Sequence, residues 1–173
     1  IIPNMAPALI AYYSRQIFFE IVSLRPDYSG PATGYYDPGT LIAIQVPSPY
    51  SIVNEVERYR YTGYSIPSMG LSGTEDWFSF NLNTRTTLTL NWIRQFFFKV
   101  EQNYDQGTGS ANGFYDTGTA LNFVVPQYYV NGQGARLKNA GFMSNGTHVP
   151  GSGMIYNGII TAPTTISYEW TQQ

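Results

Sequence analysis

The sequence predicts an all-β fold on three observations: a composition suited to pleated surfaces, turn residues that cut the chain into short apolar stretches, and a duplication that makes the second half a copy of the first. Of the 173 residues, fifteen are Tyr and ten are Phe. Together with Val, Ile and Thr these pack well on strand faces, while 17 Gly and 11 Pro supply turns. With 43% apolar residues the chain can bury one sizeable core, and a net charge of -2 is too small for a disordered charged tail.

Taken in order, the predicted strands are residues 8–24, 40–47, 76–82, 86–102, 119–130, 135–143, 154–160 and 164–172. The first is the apolar run from Ala8 to Leu24. Ser14, Arg15, Gln16 and Glu20 interrupt it, so it falls short of the roughly 18 apolar residues a membrane helix needs. Strand 40–47 carries Leu41, Ile42 and Ile44. Strand 76–82 alternates Phe78, Phe80 and Leu82 with polar residues, and 86–102 alternates Leu88, Leu90 and Trp92 before its aromatic run. The stretch Tyr50 to Tyr61 is ambiguous, because Ile52, Val56 and Tyr59 fit helical spacing while Val53, Glu55, Glu57 and Tyr59 fit alternation. Its end, 57–64, reads as a strand. The later strands are bounded by turn residues in the same way. Segments 25–39, 65–75, 103–118 and 144–153, rich in Gly, Pro, Ser and Asn, read as loops too short to link two domains.

Composition also excludes function classes. Two lysines and seven arginines are scattered, with no cluster larger than Arg58 and Arg60, so no nucleic-acid partner is expected. Without cysteine there is no disulfide, thiolate nucleophile or Cys-based metal site, and a single histidine cannot build a His-rich sphere; no metal and no cofactor are expected. The sequence opens Ile1-Ile2-Pro3-Asn4, with neither an initiator methionine nor the charged-then-apolar pattern of a secretory peptide, which leaves room for a start upstream.

Laid on itself at an offset of 79, the sequence matches at 13 of 33 positions between residues 15–47 and 94–126, against roughly 6% expected by chance. Arg15-Gln16-Ile17-Phe18-Phe19 falls on Arg94-Gln95-Phe96-Phe97-Phe98, and Gly34-Tyr35-Tyr36-Asp37-Pro38-Gly39-Thr40 on Gly113-Phe114-Tyr115-Asp116-Thr117-Gly118-Thr119. At an offset of 78, Arg58, Arg60 and Gly63 meet Arg136, Lys138 and Gly141, while Thr86-Thr87-Leu88 and Trp92 meet Thr164-Thr165-Ile166 and Trp170. One copy of four strands is marginal alone, so two copies are expected to seal each other's apolar faces. A duplicated four-strand unit builds a jelly roll naturally. The expectation is therefore an eight-stranded jelly-roll β-sandwich over residues 1–173 as a single domain, with duplicated halves 15–93 and 94–173 and an extra terminal strand. That ninth strand, 164–172, would lack a partner. It and the stretch Met5–Tyr13 are candidates for strand exchange in a homodimer or higher oligomer.

The repeated Gly-aromatic-Tyr-Asp-x-Gly-Thr motif reads first as a structural turn. Asp37 and Asp116 would make Asx-type turns, Gly39 and Gly118 would take a positive φ, and Thr40 and Thr119 would start the next strand. A catalytic alternative exists, since Asp116-Thr117-Gly118-Thr119 followed by Val125-Pro126 looks like the signature of aspartic proteases, also duplicated, whose two carboxylates share a proton. The first copy departs from that pattern at Asp37-Pro38-Gly39. Other templates are weaker. His148 has no Gly-x-Ser-x-Gly elbow to serve, Gly107 to Gly113 misses the dinucleotide spacing, and Glu55, Glu57, Glu75 and Asp76 give no carboxylate separation. No enzyme is expected. Tyr35, Tyr36, Phe114 and Tyr115 beside the two Asp residues would suit a duplicated lectin-like carbohydrate site, or a protein interface, where Tyr is enriched and Lys depleted.

In length, duplicated β pattern and its Arg15-Gln16 and Arg94-Gln95 long strands, the chain resembles the small major capsid protein of tailless icosahedral viruses with an internal membrane, the sphaerolipovirus type. Its eleven acidic residues fit the branch of bacteriophages that infect thermophiles rather than halophiles. The resemblance implies a single upright jelly roll in the virion, a second, larger capsid protein as partner, and an inner face toward a lipid membrane. Such a viral structural protein would be held by contact area, each standard interface burying roughly 1,600 Å² in total.

Overall fold

The computed structural model describes residues 14–101, 107–130 and 133–173, and the chain is all-β. In order the strands are β1 (Ile17–Ser23), β2 (Gly34–Tyr36), β3 (Thr40–Gln45), β4 (Tyr50–Asn54), β5 (Glu57–Ile66), β6 (Leu71–Gly73), β7 (Trp77–Leu82), β8 (Thr86–Glu101), β9 (Thr108–Gly109), β10 (Gly113–Asp116), β11 (Ala120–Val124), β12 (Tyr128–Val130), β13 (Arg136–Ser144), β14 (Thr147–His148), β15 (Ile155–Ile159) and β16 (Thr164–Gln172). A single 3-10 turn, Pro67–Met69, interrupts them among the described residues. The strands fall into two compact units: one takes residues up to Pro47 with Gly63–Asn91, the other Ser48–Thr62 with Trp92–Gln173. The boundary between Asn91 and Trp92 follows the duplicated halves closely, but the first repeat's β4 and the start of its β5 belong to the second unit.

In the first unit, β1 lies antiparallel to β2 (Phe18 opposite Tyr35) and parallel to the front of β8 (Phe19 opposite Thr86, Ile21 opposite Leu88). Strands β3 and β7 form a second, antiparallel layer with Ile42 opposite Phe80 and Ile44 opposite Phe78. Alternation sends Ile17, Phe19, Leu88 and Leu90 from one layer and Ile42, Ile44, Phe80 and Leu82 from the other into a shared interior. Phe19 meets Phe80 across it with ring centres 6.1 Å apart. Burying each such side chain stabilises the fold by about 1.5–3 kcal/mol.

The second unit repeats this plan residue for residue. Phe97 stands opposite Phe114, as Phe18 does opposite Tyr35; Phe98 opposite Thr164, as Phe19 opposite Thr86; Phe123 opposite Tyr156, as Ile44 opposite Phe78. Its core is Phe96, Phe98, Val100, Leu121, Phe123, Val125, Phe142, Ile160, Ile166 and Tyr168. Backbone detail is duplicated too: Gly39 and Gly118 have φ of 83° and 92°, Gly63 and Gly141 of 129° and 121°.

Three expectations need correction. Each repeat carries its own second layer (β3 with β7, β11 with β15), so its apolar sheet face is covered inside its own unit. Strand 164–172 is not left over: β16 pairs with β8 in parallel and with β13 antiparallel, which removes the reason to expect its exchange. The other candidate, Met5–Tyr13, lies outside the described residues. The predicted strand 119–130 is broken between β11 and β12 at Val125-Pro126-Gln127, where proline lacks the N–H a continuing ladder needs.

Candidate functional site

The repeated turn forms, but not as the Asx-type turn expected of Asp37 and Asp116. Thr40 and Thr119 donate both their N–H groups (3.1 and 3.0 Å) and their hydroxyls (2.7 Å each) to the backbone carbonyls of Asp37 and Asp116. Gly39 and Gly118 supply the positive φ between them. Thr40 opens β3, whereas β11 starts one residue after Thr119. The Asp side chains are not what closes the turn, because their main-chain oxygens do so, and this leaves the carboxylate of Asp116 available for another partner.

That partner comes from the β4–β5 hairpin. Arg58 and Arg60, two apart on β5, project from the same strand face. The Arg60 guanidinium grips Asp116 with both ends of its fork, Nη2 to Oδ2 at 2.6 Å and Nε to Oδ1 at 3.3 Å. Gln95, 6% exposed in the middle of β8, donates from Nε2 to Asp116 Oδ1 at 2.6 Å and accepts from Arg58 Nε at 2.7 Å. The Arg58 guanidinium is stacked between two rings, 3.9 Å from the centre of Tyr50 on its own hairpin and 4.1 Å from that of Phe114 on β10. Arg94 Nε pairs with Glu57 Oε1 at 2.7 Å, and Phe97 N–H donates to the Val56 carbonyl at 2.9 Å. A hairpin drawn from the first repeat is thus seated on strands of the second by a charged network, two stacked faces and a main-chain bond.

The electrostatics follow. The hydrogen bond from Arg60 holds the Asp116 carboxyl below the usual carboxylate range; desolvation pushes the other way and the Gln95 bond reinforces the lowering. The same bond pushes Arg60 up. A proton-sharing carboxylate pair needs the opposite environment, so the aspartic-protease reading gains no support at Asp116. Asp37 is exposed at its turn.

The other candidates are dispersed. His148 Nδ1, on β14, lies 2.8 Å from Glu169 Oε2 on β16 in an exposed contact, and no serine is joined to it among the described residues. The amide of Asn145 is held at both ends, by Thr165 N–H and by the Pro163 carbonyl, within an Asn-Gly turn whose two residues both have positive φ. Tyr115 donates to the Ala111 carbonyl and Tyr36 to that of Ala32. No group of three or more His, Cys, Asp or Glu suited to a metal occurs among the described residues, and no helix there is long and apolar enough to cross a membrane.

Sequence reasoning missed the role of Arg58 and Arg60, which lie 37 and 56 residues from their partners. The available signal was the recurrence of a basic pair two residues apart, Arg136 and Lys138, together with an Arg-Gln pair at the head of each aromatic run. The chain matches no protein-family model, no curated protein and no solved structure.

Proposed function

We propose that the chain is a structural subunit that works by associating with copies of itself and with partner proteins, as a small major capsid protein does beside a larger one over an internal membrane in a virion. The observation that supports this most is the seated hairpin. The buried Gln95 and the charged groups around it join one repeat to strands of the next. Large apolar residues on outward strand faces also suit lateral contacts: Leu41 (63% exposed), Trp77 (60%), Ile155 (51%) and Ile159 (64%). Light scattering and electron microscopy of the purified chain over rising concentration test the reading. Ordered oligomers are expected, and a 19.4 kDa species at every concentration would overturn it.

A carbohydrate-binding reading has one observation in its favour: Tyr35, 67% exposed, beside Arg15, Gln16 and Arg85 in an open groove, a ring face flanked by polar groups. The duplicated form of that site does not hold, because Arg58 covers the equivalent Phe114. A glycan array with Tyr35→Ala as control separates the two readings.

A further inference from the structure

The duplication extends to the hairpin that docks. Strands β12 and β13 are the second repeat's counterpart of β4 and β5: Tyr128 stands opposite Lys138 and Val130 opposite Arg136, as Tyr50 does opposite Arg60 and Ile52 opposite Arg58. Arg136 lies over the Tyr128 ring at 3.7 Å, matching Arg58 over Tyr50 at 3.9 Å. The second hairpin thus holds Arg136 in the posture that the first one uses for Arg58.

The surface that would receive it is duplicated as well, and in the first unit its Gln16, Tyr35 and Asp37 are exposed. Arg94, Gln95, Phe114 and Asp116 correspond to Arg15, Gln16, Tyr35 and Asp37. Where Gln95 is buried, Gln16 is exposed; where Phe114 and Asp116 are half-buried, Tyr35 and Asp37 are exposed. Arg15, Gln16, Ile17, Phe18, Tyr35 and Arg85 line a groove of about 520 Å³ at this place.

We infer that the β12–β13 hairpin of one copy docks on the β1–β2 face of a second copy of the chain. Lys138 meets the Asp37 carboxylate, Arg136 reaches Gln16 and is stacked between Tyr128 and Tyr35, and the Phe18 N–H takes the Gly134 carbonyl. The partner is specified by complementarity, basic hairpin to acidic turn and aromatic face, on the pattern that Arg60, Arg58, Tyr50 and Val56 set inside the second unit. Two differences weaken the copy relative to its template: lysine offers a point charge where Arg60 offers a fork, and Ala135 replaces Glu57, leaving Arg15 without its acid. The two surfaces are different patches of the chain, so the contact is heterologous and propagates head to tail into rings or rows.

This inference rests on the self-associating reading above and names its interface. Sedimentation velocity on Lys138→Glu and on Asp37→Lys is expected to show self-association weakened about tenfold or more, since like charges brought together cost more than a lost pair. The double charge swap is expected to restore it. Both side chains are exposed, and circular dichroism checks that the variants fold. As the chain has no cysteine, mixing Asp37→Cys with Lys138→Cys under mild oxidation should yield the mixed covalent dimer in preference to either homodimer. A wild-type chain that assembles while both charge variants assemble equally well, with no preference for the mixed disulfide, overturns the docking and leaves the structural reading standing. A wild-type chain that stays monomeric overturns both.

Discussion

At Asp116 one carboxylate answers two basic neighbours and a buried amide, so its protonation state is tied to the folded structure. Its folded pKa lies below the unfolded value near 3.8, and the stability it contributes is therefore present above that pH and lost as pH falls through the folded value. Asp116→Asn removes this dependence: the variant is expected to be less stable near neutrality by about 1–3 kcal/mol, the range for losing hydrogen bonds to a charged group, and to differ less from the wild type at about pH 2.5. Chemical unfolding followed at several pH values checks both. Tyr168 sets the alkaline edge. It is 4% exposed, donates to the Phe123 carbonyl at 3.1 Å, and burial pushes its phenol up to about 12. A raised acid is neutral in the folded state after the unfolded chain has begun to ionise, so stability falls as pH climbs from about 10 toward 12. Tyr168→Phe is expected to flatten that fall in thermal melts, at the cost of the hydrogen bond to the Phe123 carbonyl. The positive φ of Gly39 and Gly118 was legible from residue types alone, whereas the Asx-type bond expected of Asp37 and Asp116 was not formed, because the following Thr bonds their main-chain carbonyls instead. The Arg60 partnership was not legible, since nothing local in a sequence says which distant strand a basic side chain will cross.

Strands were legible where alternation was long and illegible where pairing was short. The segments 40–47, 76–82, 86–102, 135–143, 154–160 and 164–172 each contain a strand within a residue or two of the expected bounds, because an apolar residue at every second position has one way to face a core. Strands β2, β6, β9, β10 and β14, two to four residues each, sit inside segments read as loops; so few residues show no period, and neighbours impose their conformation. The ambiguous stretch Tyr50 to Tyr61 resolves as strand, turn and strand, the turn being held by Val56 N–H on the Asn54 side chain. Glycine pairs carried by the duplication make a test at this scale. A Cβ on Gly63, φ 129°, would run into the Gly73 carbonyl oxygen, and one on Gly141, φ 121°, into the Ser152 hydroxyl that Phe142 N–H uses. A Cβ on Gly39, φ 83°, meets nothing within 4 Å. Gly39→Ala is therefore expected to cost about 1 kcal/mol, the strain of a positive φ, and Gly63→Ala about 3 kcal/mol, with backbone displacement added to the strain. Urea unfolding of the two variants side by side measures the difference, and equal losses would mean that β5 and β6 can separate freely at Gly63.

For the whole molecule the informative quantity is how association responds to salt. Contact between apolar faces such as those of Leu41, Trp77 and Ile159 would strengthen when excluded salts such as sulfate are added. A contact built on Lys138 against Asp37 and on an exposed guanidinium would weaken with any salt, since the screening length falls from about 10 Å at 0.1 M to about 3 Å at 1 M. Overall repulsion does not confuse the comparison, because a net charge of -2 over 173 residues leaves little self-repulsion for salt to relieve. The hairpin seated inside the second unit supplies the precedent. Its ion pair keeps Arg60 and Asp116 only about a third exposed, so it is partly protected from screening, whereas Asp37 and Lys138 begin exposed and must be desolvated on contact. Self-association measured by light scattering is accordingly expected to fall between about 0.05 and 0.5 M sodium chloride, and the Lys138→Glu with Asp37→Lys double variant should follow the same curve, its pair being reversed and not removed. Association that rises with sodium chloride in both proteins would place the strength of the contact in the outward apolar residues of β3, β7 and β15 and not in the duplicated hairpin.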